Sequence, residues 1–569
     1  MKRTLIFVLC LVLCTTLILG GCSKPSNTPP ANDQTDGSSD QTDDDTQPGS
    51  QGGVSTPGVF PIVEEKITLN VFAPQNANIK DLATNEFTKF YEDKTNVHLE
   101  WETVPQQALN EKRNLILASG DYPDIFFGAE ITREDEMMYG PQGIFLPLND
   151  LIEEHTLEMK KMFNDVSYIK DGITTPDGNI YTLPQVNECY HCMFSQKMWI
   201  NQKWIDKLGL KMPTTTEEFY QVLKAFKEND PNGNGSQDEI PLSGTIPTSG
   251  WHSSIGSFLM NAFIYYDNDA RLMLNDGKVD TIVDKPEYQE GLRYLNMLYK
   301  EGLIDPAAFT QDEPQLKQLV ERPDVELVGA VQAGWFGVFS SLEGERHRNF
   351  EPVPPIKGPG GVQTTGNYPY SFSTGTFAIS NTNPYPEASM RWADWLYSEE
   401  AALLYVEAGR EGIEWRAGKE GELDILGNPA RWERLGESEY GEIQNVHYYQ
   451  MGPSYRSKEY REAWAIPQDP YDPKGYELRL HQATLLYDGF EPEQAFPPLY
   501  MDADQVNELT QIKTPLIDFF RESMARFITG DLDINSDWDK YLDDLERLGI
   551  KKFVELNQNA YDASAYANN

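Results

Sequence analysis

Between Ile67 and Phe127 short apolar runs alternate with amphipathic ones, and this alternation limits the fold more than any other feature. Ile67–Phe72, ITLNVF, has the β-branched and aromatic content of a strand. Leu82–Lys94 carries Phe87, Phe90 and Tyr91 on a helical pattern, and Val97–Trp101 returns to strand character. A helix near Ala108–Ala118, a turn at Ser119-Gly120-Asp121, a strand at Asp124–Phe127 and a helix at Leu146–His155 continue the series. Strands linked through helices pair in parallel, with the helices on the sheet faces. The expected fold class is α/β.

The pattern breaks at Tyr181-Thr-Leu-Pro184 and resumes with a strand-like run at Met198–Ile200 and a helix at Lys203–Leu208. Pro213-Thr-Thr-Thr-Glu-Glu218 has a capping threonine and first-turn glutamates, so it predicts a helix to about Asn229. Further helices are predicted at Ile255–Ala262, Glu287–Glu301, Pro386–Ala408, Val506–Phe527 and Asp537–Leu548. The chain shows no internal repeat.

Lys2 and Arg3 precede an apolar run, Thr4–Gly21, which reads as a secretory signal. It ends in Leu19-Gly20-Gly21-Cys22, which resembles the lipobox of bacterial lipoproteins, whose cysteine becomes the lipid-bearing, palmitate-carrying N-terminus. The alternatives are an ordinary signal or a lone anchoring helix. The next stretch, to about Gly58, is Ser, Asn, Thr, Pro, Asp, Gln and Gly with little to bury, and predicts a flexible tether. Of five cysteines, Cys10 and Cys14 leave with the signal and Cys22 is expected to carry the lipid, which leaves Cys189 and Cys192 as either a C-x-x-C disulfide or ordinary core thiols. The formal charge of -42, from 89 acidic and 47 basic side chains, repels nucleic acid and anionic lipid.

Several stretches together resemble the bacterial extracellular solute-binding proteins of ABC importers, in the branch of large oligosaccharide-binding lipoproteins that includes alginate-binding members. They are Ser119-Gly-Asp-Tyr-Pro-Asp-Ile125, Asp177-Gly-Asn-Ile-Tyr-Thr-Leu-Pro184, Trp199-Ile-Asn-Gln-Lys-Trp-Ile-Asp-Lys-Leu-Gly209, Pro213-Thr-Thr-Thr-Glu-Glu-Phe219, Tyr299-Lys-Glu-Gly-Leu-Ile-Asp305, and Phe527-Ile-Thr-Gly530 followed by Trp538. The resemblance implies a two-lobe periplasmic-binding-protein-like fold with a multi-strand hinge and additional helices. It implies crossings near Pro184, near Tyr370–Phe377 and between about Gln450 and Pro467. The expected organisation is a signal at 1–21, a tether at 22–60, a first lobe from 61–185 and 373–450, and a second lobe from 186–372 and 451–569. The implied partners are a sugar and the permease, with a monomer held by lipidated Cys22 on the extracellular face of a Gram-positive membrane.

The stretch DPNGNGSQDE, Asp230–Glu239, sets Asp230, Asn232, Asn234, the Ser236 carbonyl and Asp238 at alternating positions, with Gly235 free to turn. Hard oxygen donors on a reversing backbone are the logic of a calcium loop. The twelfth position is Pro241, which cannot supply the last bidentate ligand; Glu239 can. The arrangement looks like the calcium loop of alginate-binding members, and the other reading is an Asx-rich surface turn. A calcium ion here is expected to be structural.

A sugar site needs flat aromatic faces and polar side chains. Trp251 and His252, Trp335 between Gly334 and Gly337, Tyr190 and His191, Tyr370 and Ser373, and Trp415 with Arg416 are the candidates. Trp335 in its glycine frame resembles the sugar-stacking region of maltose-type binding proteins. For the tryptophans the alternative is a core aromatic beside a turn; Arg416, the one candidate for an acidic sugar, has Glu414 nearby to neutralise it. The rival functions are a secreted carbohydrate-active enzyme and a surface adhesin. Acidic pairs occur by chance among 89 carboxylates, and no G-x-S-x-G or H-E-x-x-H motif is present, so no catalytic residue is nominated.

Overall fold

A computed structural model describes residues 53–568 apart from 268 and 436–442. The signal segment, Cys22 and the tether as far as residue 52 lie outside the described residues.

Strand Ile67–Gln75 pairs in parallel with Val97–Pro105 along its whole length, and helix Glu86–Thr95 connects them. The Asn85 side chain accepts from the Phe87 N–H at the start of that helix, and Asn96 ends it in the left-handed conformation at φ 60. Ile125–Phe127 joins the other edge of Ile67–Gln75, also in parallel. Leu69, Val71, Phe72 and Ala73 are all buried, as a parallel sheet covered on both faces requires.

Three later segments complete this sheet. Phe372–Ile379 runs antiparallel beside Ile125–Phe127, Leu183–Asn187 pairs antiparallel with Phe372–Ile379, and Ser454–Arg456 lies parallel at the edge. The second sheet is small and antiparallel, with Met198–Asn201 between Ala330–Gln332 and Phe350–Val353.

The two largest hydrophobic cores draw on different parts of the chain. The first takes residues from Ile62 to Val186 and again from Phe372 to Met451. The second takes most of its residues from Phe194 to Ile356 and from Tyr487 to Tyr561, around the long helix Ala503–Thr529 packed on Pro286–Lys300. Each large apolar side chain buried in them contributes about 1.5–3 kcal/mol. The protein is therefore a two-lobe α/β molecule, and Leu183–Asn187, Phe372–Ile379 and Ser454–Arg456 lie side by side where the chain leaves one core for the other.

The structure departs from the sequence expectations in three places. Ile255–Ala262 forms only a short 3-10 turn at Leu259–Ala262, because Gly256 takes φ 106, which no helix accommodates. The helix expected over Pro386–Ala408 stops at Trp395, and Ser398 caps a new turn by accepting from the Ala401 N–H. The body also begins before residue 61: Val54 and Phe60 pack on the first core, and the buried Arg391 guanidinium donates to the carbonyls of Ser55, Thr56 and Val59.

Helix Arg133–Tyr139, which follows the sheet of the first lobe, touches the long helix of the second. Glu134 and Lys513 form an ion pair at 2.7 Å, and Met137 joins the second core. Glu136 is fully buried, accepting from the Thr374 hydroxyl of a hinge strand at 2.5 Å and from the Tyr500 hydroxyl at 3.0 Å. Burial pushes its carboxyl up to about 7, against the opposing pull of those hydroxyls and of Arg133. An acid whose folded-state pKa is raised loses stability as pH climbs from its unfolded value, about 4.5, towards 7, by roughly 3 kcal/mol if the full difference is expressed. The stability of the protein relative to Glu136→Gln is expected to fall between pH 5 and pH 8 in paired chemical-denaturation curves; a gap that stays constant would mean that Glu136 is ionised in the folded protein throughout.

Candidate functional site

Directly after the hinge strand Leu183–Asn187, a disulfide between Cys189 and Cys192 closes the one-turn helix Tyr190–Met193. Lys197, itself buried, donates from Nζ to the carbonyls of His191 and Phe194 at the end of this turn. Burial lowers the Lys197 pKa to about 7. The turn is thus held at both ends, and it presents Tyr190 and His191.

His191 Nδ1 lies 3.2 Å from Glu477 Oε2, and Arg461 reaches the other oxygen of the same carboxylate at 3.4 Å. Burial lowers the His191 pKa, with Glu477 opposing it. Glu477 and His481 stand four residues apart on helix Tyr476–Thr484, and the His481 ring packs 5.1 Å from that of Tyr190. Glu188, Tyr190, His191, Arg461, Glu462, Glu477 and His481 border a small recess of about 30 Å³. Arg461 and Glu462 come from helix Lys458–Glu462, which packs into a small core with Ala402, Leu403 and Trp432; His481 sits beside Leu480 in the core that contains Trp199.

The aromatic wall continues from His191. The Trp251 ring stands edge-on to His191 at 6.2 Å and to His252 at 5.9 Å, and the Trp335 ring lies 5.9 Å from Tyr476. Both indoles are half-buried. The flanking glycines have a steric cause: a Cβ on Gly334 would fall 2.4 Å from Trp251, and one on Gly337 would fall 2.4 Å from Trp335. The Gly334 N–H also donates to the Trp251 carbonyl at 2.7 Å. His252 has φ 52, and burial lowers its pKa to about 4, so it is a neutral ring beside the wall.

The structure therefore brings Tyr190, His191, Trp251, His252 and Trp335 into one neighbourhood. Tyr370 belongs to a different aromatic group, with Tyr168, Tyr368 and Tyr566, and Ser373 is exposed on a hinge strand opposite Gln185. Trp415 is buried with its indole N–H donating to the Gly409 carbonyl, and Arg416 is paired with Glu422 and Glu433. Glu414, its sequence neighbour, pairs with Arg410 instead. Sequence reasoning missed Arg461, Glu477 and His481; the i,i+4 pair Glu477 and His481 on one helix face was the available signal.

In the Asp230–Glu239 loop, Asp230 is at φ 48 and its carboxylate accepts from the N–H groups of Gly233, Asn234 and Gly235. The Asn232 and Asn234 amides donate to Asp238 at 3.1 and 3.0 Å. Glu239 is buried beneath them with both carboxylate oxygens lacking a hydrogen-bond donor. Burial raises its pKa, outweighing the opposing pull of the nearby Glu239 and Asn232 N–H groups, and the charges of Asp230 and Asp238 add to the rise. An orphaned buried carboxylate beside two others is what a hard cation would relieve, so this donor set fits calcium.

The family model described as bacterial extracellular solute-binding protein matches residues 73–403. The fructooligosaccharide ABC transporter substrate-binding protein FusA of Streptococcus pneumoniae serotype 4 is 28% identical over 544 residues, which cover 90% of this chain and 94% of FusA. FusA in complex with kestose superposes with a TM-score of 0.72 at 26% identity, over 87% of this chain and 99% of FusA, and FusA has also been solved as an EF-hand mutant in complex with fructo-nystose. An HMO-binding solute-binding protein from Bifidobacterium longum infantis superposes at 0.75 with 22% identity, over 88% and 99% of the two chains. Alginate-binding protein AlgQ2 without calcium ion gives 0.64 at 23% identity, over 88% and 98%.

The glycine seat makes a specific demand. Gly334→Ala is expected to displace the Trp251 ring, to cost about 1–3 kcal/mol as an overpacking substitution, and to shift the intrinsic tryptophan emission. Unchanged melting and emission would show that the indole is not held against this glycine.

Proposed function

Because this chain belongs to the bacterial extracellular solute-binding protein family, we propose that it captures an oligosaccharide between its two lobes and hands it to an ABC permease. The observation that carries this reading is likeness to FusA over 90% of this chain and 94% of that protein, which spans both lobes and the hinge. The aromatic wall of Trp251 and Trp335 supplies faces for sugar C–H surfaces, and Tyr190, His191, Arg461, Glu477 and His481 supply hydrogen-bonding groups for hydroxyls. The carboxylates around the recess favour a neutral sugar over an acidic one. Tyr370, Ser373, Trp415 and Arg416 are given no direct ligand contact here. Solute that touches both lobes favours the closed arrangement by the difference in its affinity for the two states.

The lobe boundaries are assigned at the three hinge strands. Cys22 is assigned as the lipid anchor; among the described residues no helix is long and apolar enough to cross a membrane. Calcium, held by Asp230, Asn232, Asn234, the Ser236 carbonyl, Asp238 and Glu239, neutralises the loop that follows helix Thr216–Glu228 and has no part in holding sugar.

Calorimetric titration with kestose and other neutral fructooligosaccharides tests both assignments together. Saturable binding is expected, weakened at least tenfold, about 1.4 kcal/mol, by Trp335→Ala. A chelator is expected to lower the melting temperature, with a loss of about 2.7 kcal/mol relative to calcium at a hundred times its Kd, while sugar affinity of the folded protein stays the same. Sugar affinity that vanishes with calcium would assign the loop to the binding site; no binding of any neutral oligosaccharide, with heat evolved on adding a uronate polymer, would overturn the substrate class.

A further inference from the structure

Cys189 Sγ, Cys192 Sγ and a ring nitrogen of His191 lie within 4.8 Å of one another. The approach of Cys189 Sγ to His191 Nε2 is 3.5 Å. Zinc bound to sulfur at about 2.3 Å and to imidazole at about 2.0–2.1 Å in a tetrahedron separates those two ligand atoms by about 3.5 Å. The other imidazole nitrogen, Nδ1, faces Glu477 Oε2 at 3.2 Å. A carboxylate on the remote nitrogen fixes the ring and raises the basicity of the near one, as in metal-bound histidines generally. In the structure the two sulfurs are bonded to each other, so neither is a thiolate.

We propose that Cys189, His191 and Cys192 form a redox-gated site for one soft divalent cation of the zinc class. A dithiol reductant gives up two electrons and two protons: the Sγ–Sγ bond breaks, each cysteine becomes a thiol, and the reductant closes to its own disulfide. Metal binding then displaces the two thiol protons to water. Two thiolates and an imidazole select a borderline-soft ion over calcium, and three protein ligands leave a fourth position for water. Cys189 is buried and Cys192 half-buried, so Cys192 is the more exposed residue of the pair. This site does not depend on the identity of the transported solute.

The test uses the full chain with Cys10, Cys14 and Cys22 replaced by serine, so that Cys189 and Cys192 are its only thiols. Saturating calcium fills the Asp230–Glu239 loop, and cobalt(II) serves as the spectroscopic stand-in for zinc. After reduction by a phosphine and confirmation of two free thiols, one equivalent of cobalt is expected to give thiolate-to-cobalt charge transfer and tetrahedral visible bands, which zinc abolishes. The oxidised protein and the reduced, alkylated protein are expected to give neither. His191→Gln is expected to keep both thiols and to weaken cobalt at least tenfold. Two free thiols without charge-transfer absorption would overturn the site, and equal affinity in His191→Gln would remove the histidine from it.

Discussion

The structure depends on how the polypeptide passes between its two largest cores. Leu183–Asn187, Phe372–Ile379 and Ser454–Arg456 lie next to one another in a single sheet, so the passages share one hydrogen-bonded ribbon. The ribbon is irregular in the middle: the register shifts between Ser373 and Phe377, and Gly375 adopts φ 74 where a Cβ would meet the Ile131 carbonyl oxygen at 1.8 Å. Only glycine lets the backbone pass there. A shared ribbon between separately packed lobes restrains sliding more than bending, which is the property a closing molecule needs.

The candidate site grows from the end of that ribbon. Chain leaving Asn187 enters the disulfide-closed turn within two residues, so the groups on it keep a fixed relation to the hinge. His191 then meets a carboxylate from Glu477, far along the chain, and Trp251 and Trp335 extend the wall over glycines at which any Cβ would strike the indole. The acidic surplus of the chain is managed locally: Arg461 shares Glu477 with His191, Lys513 meets Glu134 between lobes, and Glu239 is left without a hydrogen-bond donor.

Much of this was legible in the sequence because it is written in local chemistry. Apolar alternation predicted the parallel start of the first sheet, and the Asx-rich stretch Asp230–Glu239 predicted a reversing loop. What was illegible depends on distant pairing. Glu477 lies 286 residues after His191, and nothing near either residue names the other. Arg416 shows the same limit in reverse: its adjacent Glu414 answers Arg410, while Arg416 finds Glu422 and Glu433 across a turn and a strand pair. Ile255–Ala262 misled because its apolar content gives no sign that Gly256 takes φ 106, which keeps the run from closing into a helix.

Small-angle X-ray scattering of the protein with and without saturating neutral oligosaccharide, with occupancy checked by calorimetry on the same samples, tests the clamp most directly. Lobe closure is expected to lower the radius of gyration along the binding isotherm. Full occupancy with an unchanged radius would contradict it.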